Sequence, residues 1–187
     1  MIDQEPNEEF DDEYEEERYW YALYTRSRHE KKIELRLTMK GIDCYAPLHK
    51  VIRQWSDRKK IVEEPLFRNY IFVYGTKQEY RFAVSETGVV RGVTTNGRPA
   101  IIQDREIEAI RQFVASGVPL EIDDTPFEPI VGEWVEVMSG PLQGYIGEVM
   151  IVKGNKRLAL RLDVLGATIH ADIAPFIVQP YTEPQDE

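Results

Sequence analysis

Residues 118–130 divide the chain. Pro119, Pro126 and Pro129 stand there among Glu121, Asp123, Asp124 and Glu128, a net charge of −4 without a base. Proline stiffens such a stretch and like charge keeps it extended, so it reads as a linker. The texture differs on its two sides. The expected organisation is an acidic tail over 1–18, a first domain over 19–117, the linker over 118–130, a second domain over 131–181 and a short tail over 182–187.

Order is expected to begin at the aromatic run Tyr19-Trp20-Tyr21-Ala22-Leu23-Tyr24, a strand. Ser27-Arg28-His29-Glu30 has capping-box spacing and predicts a helix with Ile33 and Leu37 buried and Gly41 as its stop. Ile42–Ile52 and Ile61–Tyr74 predict a long hairpin around the polar tip 53–60. Thr76-Lys77-Gln78-Glu79 is a second capping box and opens a helix to about Glu86. Val89–Thr95, Asn96-Gly97 and Ala100-Ile101-Ile102 predict a further hairpin, and Asp104 is expected to cap a helix reaching about Ala115. The fold class is therefore α+β, a mostly antiparallel sheet with helices on one face.

Beyond the linker, Glu133–Met138, Gly147–Val152, Arg157–Val164, Thr168–Ile173 and Phe176–Val178 are short strand candidates. The alternation is cleanest in Leu158, Leu160, Leu162 and Val164. Five short strands in about fifty residues predict a small β-barrel, because closure removes exposed edges.

The 187 residues carry 33 acids and 23 bases, a net of −10. Ten of the acids lie in residues 1–17, which have no base (Asp3, Glu5, Glu8, Glu9, Asp11, Asp12, Glu13, Glu15, Glu16, Glu17), so the remainder balances at 23 of each. That tail is expected to be disordered, and its charge does not argue against a nucleic-acid partner. Residues 18–60 hold twelve bases and four acids. A single cysteine, Cys44, excludes a disulfide framework. No apolar run has the length of a membrane span and the N-terminus is not a signal peptide, so a cytoplasmic protein is expected. His29, His49 and His170 are far apart, and no zinc spacing, phosphate loop or nucleophile elbow is present. The chain is expected not to be an enzyme and to use no metal or other cofactor.

Three constellations remain. Tyr70 and Phe72 share one strand face, with Tyr24 ending a neighbouring strand. These rings fit either a core or an apolar hollow on an open sheet face. His29, Lys32, Arg36 and Lys40, spaced 3, 4 and 4, fall on one helix stripe behind Arg26 and Arg28. Such a stripe is a solvated face or a nucleic-acid contact. At the hairpin tip Lys50, Arg53, Arg58, Lys59 and Lys60 surround Trp55, which suits phosphate neutralisation with base stacking, or a Trp55 folded back on the sheet.

Two patterns resemble known modules. Gly132-Glu133-Trp134-Val135-Glu136-Val137-Met138-Ser139-Gly140-Pro141-Leu142-Gln143-Gly144-Tyr145-Ile146-Gly147-Glu148-Val149 resembles a KOW motif. The run 20–24, the basic helix, Glu64-Pro65-Leu66-Phe67-Arg68-Asn69-Tyr70-Ile71-Phe72-Val73 and Gly88-Val89-Val90 resemble the NusG N-terminal domain. In this order they are similar to the NusG family of bacterial transcription elongation factors. Arg26-Ser27-Arg28-His29-Glu30-Lys31-Lys32 and the tip 54–60 are closer to the specialised RfaH and UpxY-type antiterminators of polysaccharide operons. Arg68 departs from the family, which usually has proline there, and the acidic tail lies outside the shared pattern.

The resemblance implies that the first domain docks on the clamp helices of RNA polymerase, with Tyr24, Phe67, Tyr70 and Phe72 among the contacts. It implies that Arg26, Arg28, His29, Lys32 and Arg36 touch the exposed non-template DNA strand, and that the KOW domain recruits a small-subunit ribosomal protein or Rho. RfaH can refold its KOW domain into helices. Here the Leu158–Val164 alternation and the Gly-Pro turn favour a stable barrel. The rival reading is an RNA- or ribosome-binding KOW protein acting in translation, with Tyr70 and Phe72 stacking on RNA.

Overall fold

The computed structural model describes residues 17–55, 57–123, 132–174 and 176–182. The expected disorder of the acidic tail and residues 124–130 of the expected linker lie outside the described residues.

The aromatic run forms β1 (Tyr19–Thr25), followed by α1 (Glu30–Met39), β2 (Asp43–Tyr45), the hairpin β3 (Leu48–Gln54) and β4 (Lys59–Pro65), β5 (Tyr70–Gly75), α2 (Lys77–Val84) and β6 (Val89–Gly92). β7 (Thr94–Thr95) and β8 (Arg98–Pro99) flank Asn96-Gly97, both at positive φ as a tight hairpin turn requires. β9 (Ile101–Ile102) and α3 (Asp104–Ala115) complete the first domain. The sheet order is β2-β5-β1-β6 with β9 also on β1, all antiparallel.

β1 is central because it is apolar on both faces. Tyr21 and Leu23, with Ile71 and Val73 of β5, pack with Ile33 and Leu37 of α1 and Tyr80 and Ala83 of α2. Trp20, Ala22 and Phe72 point the other way, into a cluster with Ile107, Ile110 and Phe113 of α3. Helices thus cover both faces of the sheet rather than the one expected, because β1 and β5 are apolar on both sides.

Local signals are met in part. The Thr76 box is present: the Glu79 amide donates to Thr76 Oγ1 at 3.2 Å and the Thr76 amide to the Glu79 carboxylate at 2.8 Å. The Ser27 box is not. Arg28 sits at φ 63°, His29 takes the N-cap position, and buried Glu30 instead accepts the Asn69 amide at 2.9 Å. At α3 the cap is Gln103, whose amide donates to Glu106 at 2.8 Å, and Asp104 is the first helical residue. The expected long hairpin is cut into two ladders. Pro47 has no amide to give, its carbonyl accepts from Leu66 at 2.7 Å, and Asn69 turns the chain at φ 67°.

The linker reading is corrected at its start. Leu120–Asp123 is a strand, β10, paired antiparallel with β14 (Ala167–Asp172). Leu120 and Ile122 alternate with acids, so one face is apolar. Leu120 is buried, and the pairing covers an edge of β14 that would otherwise be bare. The rest of the second domain is β11 (Trp134–Ser139), β12 (Ile146–Val152), β13 (Asn155–Leu162) and β15 (Ile177–Pro180), close to the expected strands. The β-rich module runs β10-β14-β13-β12-β11-β15, with Leu158, Leu160 and Leu162 inside.

Gly140 and Gly144 have positive φ in the turn after β11, and a Cβ on Gly147 would lie 2.3 Å from the Tyr145 ring. The glycines of the KOW-like stretch are turn and packing residues, and Gly132 and Gly147 tolerate no side chain: a Cβ on Gly132 would lie 1.7 Å from the Val149 carbonyl oxygen. The two domains share a core. Phe113 of α3 meets Tyr145 edge-on with centroids 5.0 Å apart, and the cluster continues to Leu158 and Leu162.

Candidate protein and nucleic-acid interface

One end of the first sheet gathers most of the residues expected to function. There β1 runs into the Arg26–His29 loop, β5 begins after the 66–69 turn, and the β3–β4 hairpin departs. Backbone bonds tie the end together: the Thr25 amide donates to the Asn69 carbonyl at 2.7 Å and the Arg26 amide to the Gly88 carbonyl at 2.8 Å.

Tyr24 and Tyr70 are direct cross-strand partners. Their rings meet edge-on at 5.2 Å, both half-buried. On the other side of Tyr24, its β6 partner Arg91 holds its guanidinium 5.4 Å from the ring centroid. This row of two phenol rings and a cation offers apolar area and hydrogen-bonding tips together.

Phe67 and Phe72 are corrected. Phe72 is fully buried and Phe67 is 3% exposed. They pack edge-on at 5.7 Å in the cluster that α3 closes. Both are core side chains. Phe72 shares the face of Tyr70, but the face is covered at residue 72 and open at residue 70.

The basic set also separates. Arg36 is not a free cation. With Lys40 it holds Glu86, at 2.8 and 2.7 Å, and it also donates to the Thr87 carbonyl. Glu86 is almost buried, and its hydrogen bonds from Lys40 and Arg36 hold its carboxyl below the usual range. These bonds fasten α1 to the turn after α2. His29 is half-buried, its Nδ1 3.0 Å from the Ser27 carbonyl and its ring close to Gly88, where a Cβ would lie 3.0 Å from Cδ2. Arg26, Arg28 and Lys32 are exposed and have no carboxylate partner among the described residues.

At the hairpin, Arg53 is matched by Glu64 through two bonds of 2.7 and 2.6 Å, so its charge is neutralised locally. Trp55 does not fold back: it is 54% exposed, with the Lys60 ammonium 5.9 Å from its ring. Arg58 lies 4.0 Å from exposed Asp57, and Lys59 and Lys60 make no ion pair among the described residues. The exposed cross-strand pair Ile52 and Ile61 gives the hairpin an apolar patch below that tip.

Sequence reasoning missed Arg91 and Glu86. Arg91 is found only through the β1–β6 register, and Glu86 only through contacts fifty residues away. A cleft of about 570 Å³, lined in part by Trp20, Cys44, Tyr74 and Arg111, lies near the opposite end of β1, away from this interface. Burial pushes the Cys44 thiol up to about 12, which suits a packed side chain rather than a nucleophile.

Glu86 carries a stability prediction. Its lowered carboxyl stabilises the fold above the unfolded value near 4.3. That contribution is lost as pH falls through the folded value. Glu86→Gln is expected to cost about 1–2 kcal/mol at pH 7 and to flatten the acid limb of the stability profile, read by urea unfolding at several pH values.

The chain is similar to several known proteins. The family model for transcription termination factor nusG matches residues 18–111. The transcription termination/antitermination protein NusG of Borreliella burgdorferi is 25% identical over 177 residues, covering 83% of this chain and 95% of the relative. That of Pseudomonas aeruginosa is 28% identical over 167 residues, covering 82% and 93%. A solved structure of Thermotoga maritima NusG covers 89% of this chain and 98% of its own, at 23% identity and a TM-score of 0.46.

Proposed function

Because the chain belongs to the NusG family of transcription termination/antitermination factors, we propose that it is an elongation factor of the specialised RfaH/UpxY-like kind. It binds the clamp helices of RNA polymerase through the Tyr24–Tyr70–Arg91 row, and it suppresses pausing and termination in selected operons such as polysaccharide loci. The observation that carries the reading is the half-open tyrosine pair set at the same sheet end as Arg26, Arg28 and Lys32. One surface can then hold a protein while its neighbour touches the non-template strand. Arg26, Arg28 and Lys32 supply phosphate contacts, with the exposed Trp55 tip as a second nucleic-acid contact.

The mechanism is binding alone. A factor that binds the closed clamp more tightly than the open one lowers the population of the paused state by that difference in affinity. The second domain recruits a further protein, a small-subunit ribosomal protein or Rho. Its exposed Trp134, Met138, Ile146 and Ile177 provide apolar area for that contact.

The immobilised full chain, exposed to a cell lysate, tests the reading. Retention of RNA polymerase supports it. Retention of ribosomal RNA without polymerase supports the translational rival and removes it.

A further inference from the structure

Phe82 stands on the outer face of α2 with 47% of its surface open. It packs in neither apolar cluster of the first sheet, and its ring contact among the described residues is with a cation, the Lys40 ammonium 5.0 Å from the centroid. Lys40, the C-cap of α1, is held in turn by Glu86 beside Arg36. The ring therefore stands where the stripe Lys32–Arg36–Lys40 ends, and that stripe begins behind Arg26 and Arg28. We propose that Phe82 is a base-stacking platform for the single strand whose phosphates Arg26, Arg28 and Lys32 contact. The inference rests on the reading of those three cations as the strand-contacting surface.

Charge selects a nucleic-acid strand as the occupant. Every carboxylate of the two helices, and of the turn after α2, is used within the domain. Glu30 accepts the Asn69 amide and Glu34 the Ala46 amide, Glu79 closes the α2 cap and pairs with Arg18, and Glu86 holds Arg36 and Lys40. Lys32 on α1, and Lys77 and Arg81 on α2, are exposed and have no carboxylate partner among the described residues. The outward face is thus cationic, with apolar area at Phe82 and at exposed Leu35 and Met39. A polyanion whose every unit carries a flat π-face complements both features at once, with phosphates on the cations and a base on the ring.

The distances suit one continuous strand. The helix rise from Lys32 to Lys40 is about 12 Å, or roughly four steps of stacked bases at about 3.4 Å each. Phosphates held at Arg26, Arg28 and Lys32 therefore leave a base a few nucleotides further on within reach of Phe82. Arg36 and Lys40 keep Glu86 throughout. They serve the site by fixing the surroundings of the ring, Lys40 through its cation–π contact, rather than by neutralising phosphate. Arg81, next to Phe82 in the chain, supplies a cation for the phosphate of the stacked nucleotide. Stacking tolerates any base, so the platform adds affinity for an unpaired strand over a duplex, whose bases are already stacked, without adding sequence preference.

Three variants of the full chain test it. Phe82→Leu keeps the apolar bulk and removes the π-face, Phe82→Tyr keeps both, and Arg26→Gln with Arg28→Gln and Lys32→Gln removes the phosphate contacts. Each is titrated by anisotropy at low salt with a thymidine strand of about twelve nucleotides, the upper part of the usual site-size range, and with an abasic strand of the same length. Phe82→Leu is expected to bind the thymidine strand about tenfold more weakly and the abasic strand as the natural chain does. Phe82→Tyr is expected to match the natural chain on both. An equal loss on the two strands, or a loss in Phe82→Tyr as large as in Phe82→Leu, would overturn the proposal. So would an unchanged thymidine affinity in Phe82→Leu, and if that variant also lost RNA polymerase, the face would be a protein contact. If the triple glutamine variant binds both strands as the natural chain does, the strand-contacting role of Arg26, Arg28 and Lys32 has failed and the platform falls with it. If the triple variant loses binding and Phe82→Leu does not, only the platform fails.

Discussion

Tyr24→Ala with Tyr70→Ala is expected to abolish retention of RNA polymerase by a domain that remains folded, whereas Phe72→Ala is expected to unfold it. Tyr70 and Phe72 lie on one sheet face, two residues apart along β5, and Tyr24 is the cross-strand partner of Tyr70. Phe72 is fully enclosed against Phe67, Tyr45 and the α3 cluster. Truncating such a ring leaves a cavity that close-packed neighbours fill only in part, at a cost of about 3–5 kcal/mol. That is a large share of a small domain's stability. Tyr24 and Tyr70 are half-buried: Tyr24 rests on Tyr70 and Arg91, and Tyr70 on Tyr24 and the rim of the core cluster. Their loss forfeits an edge-on pair worth about 1 kcal/mol and leaves the core closed. An aromatic anchor at the centre of a protein interface commonly contributes about 2–4 kcal/mol, so removing two lowers affinity at least a hundredfold. Thermal unfolding of each variant, read beside its polymerase retention, separates the two roles.

The second large effect concerns DNA. Replacing Arg26, Arg28 and Lys32 together by glutamine is expected to weaken single-strand binding about a hundredfold at low salt. The slope of log affinity against log salt should fall by about 2, since each single-strand phosphate contact contributes about 0.7. Arg36→Gln should behave differently. Its guanidinium is spent on Glu86 and the Thr87 carbonyl, so the variant loses stability with little change in the salt slope. A filter or anisotropy titration of both variants over a salt series measures the contrast.

These contrasts mark where sequence reading reaches and where it stops. The Thr76–Glu79 capping box is legible because its partners are three residues apart. The similar spacing at Ser27–Glu30 misleads because Glu30 has a stronger use, the amide of Asn69 in a left-handed turn nearly forty residues away. Strand periodicity places Tyr70 and Phe72 on one face. It does not say that Phe67, Tyr45 and the α3 cluster enclose that face at residue 72 while residue 70 stays half-exposed. Helical spacing places Arg36 on the stripe of Lys32, but Glu86, which claims Arg36, lies in the turn after another helix. In residues 120–123 the acids and the nearby prolines obscure an apolar alternation that the bare edge of β14 recruits. The antiparallel sheet with helices and the β-rich C-terminal region follow from local composition and periodicity and are present in the fold.

Single-round transcription through an intrinsic terminator with purified polymerase is the most direct measurement of what this chain does. More readthrough and shorter pauses are expected when the natural chain is added, and no change when the Tyr24→Ala/Tyr70→Ala form is added at the same concentration. Unaltered readthrough with the natural chain, or an equal increase with the double variant, would contradict it.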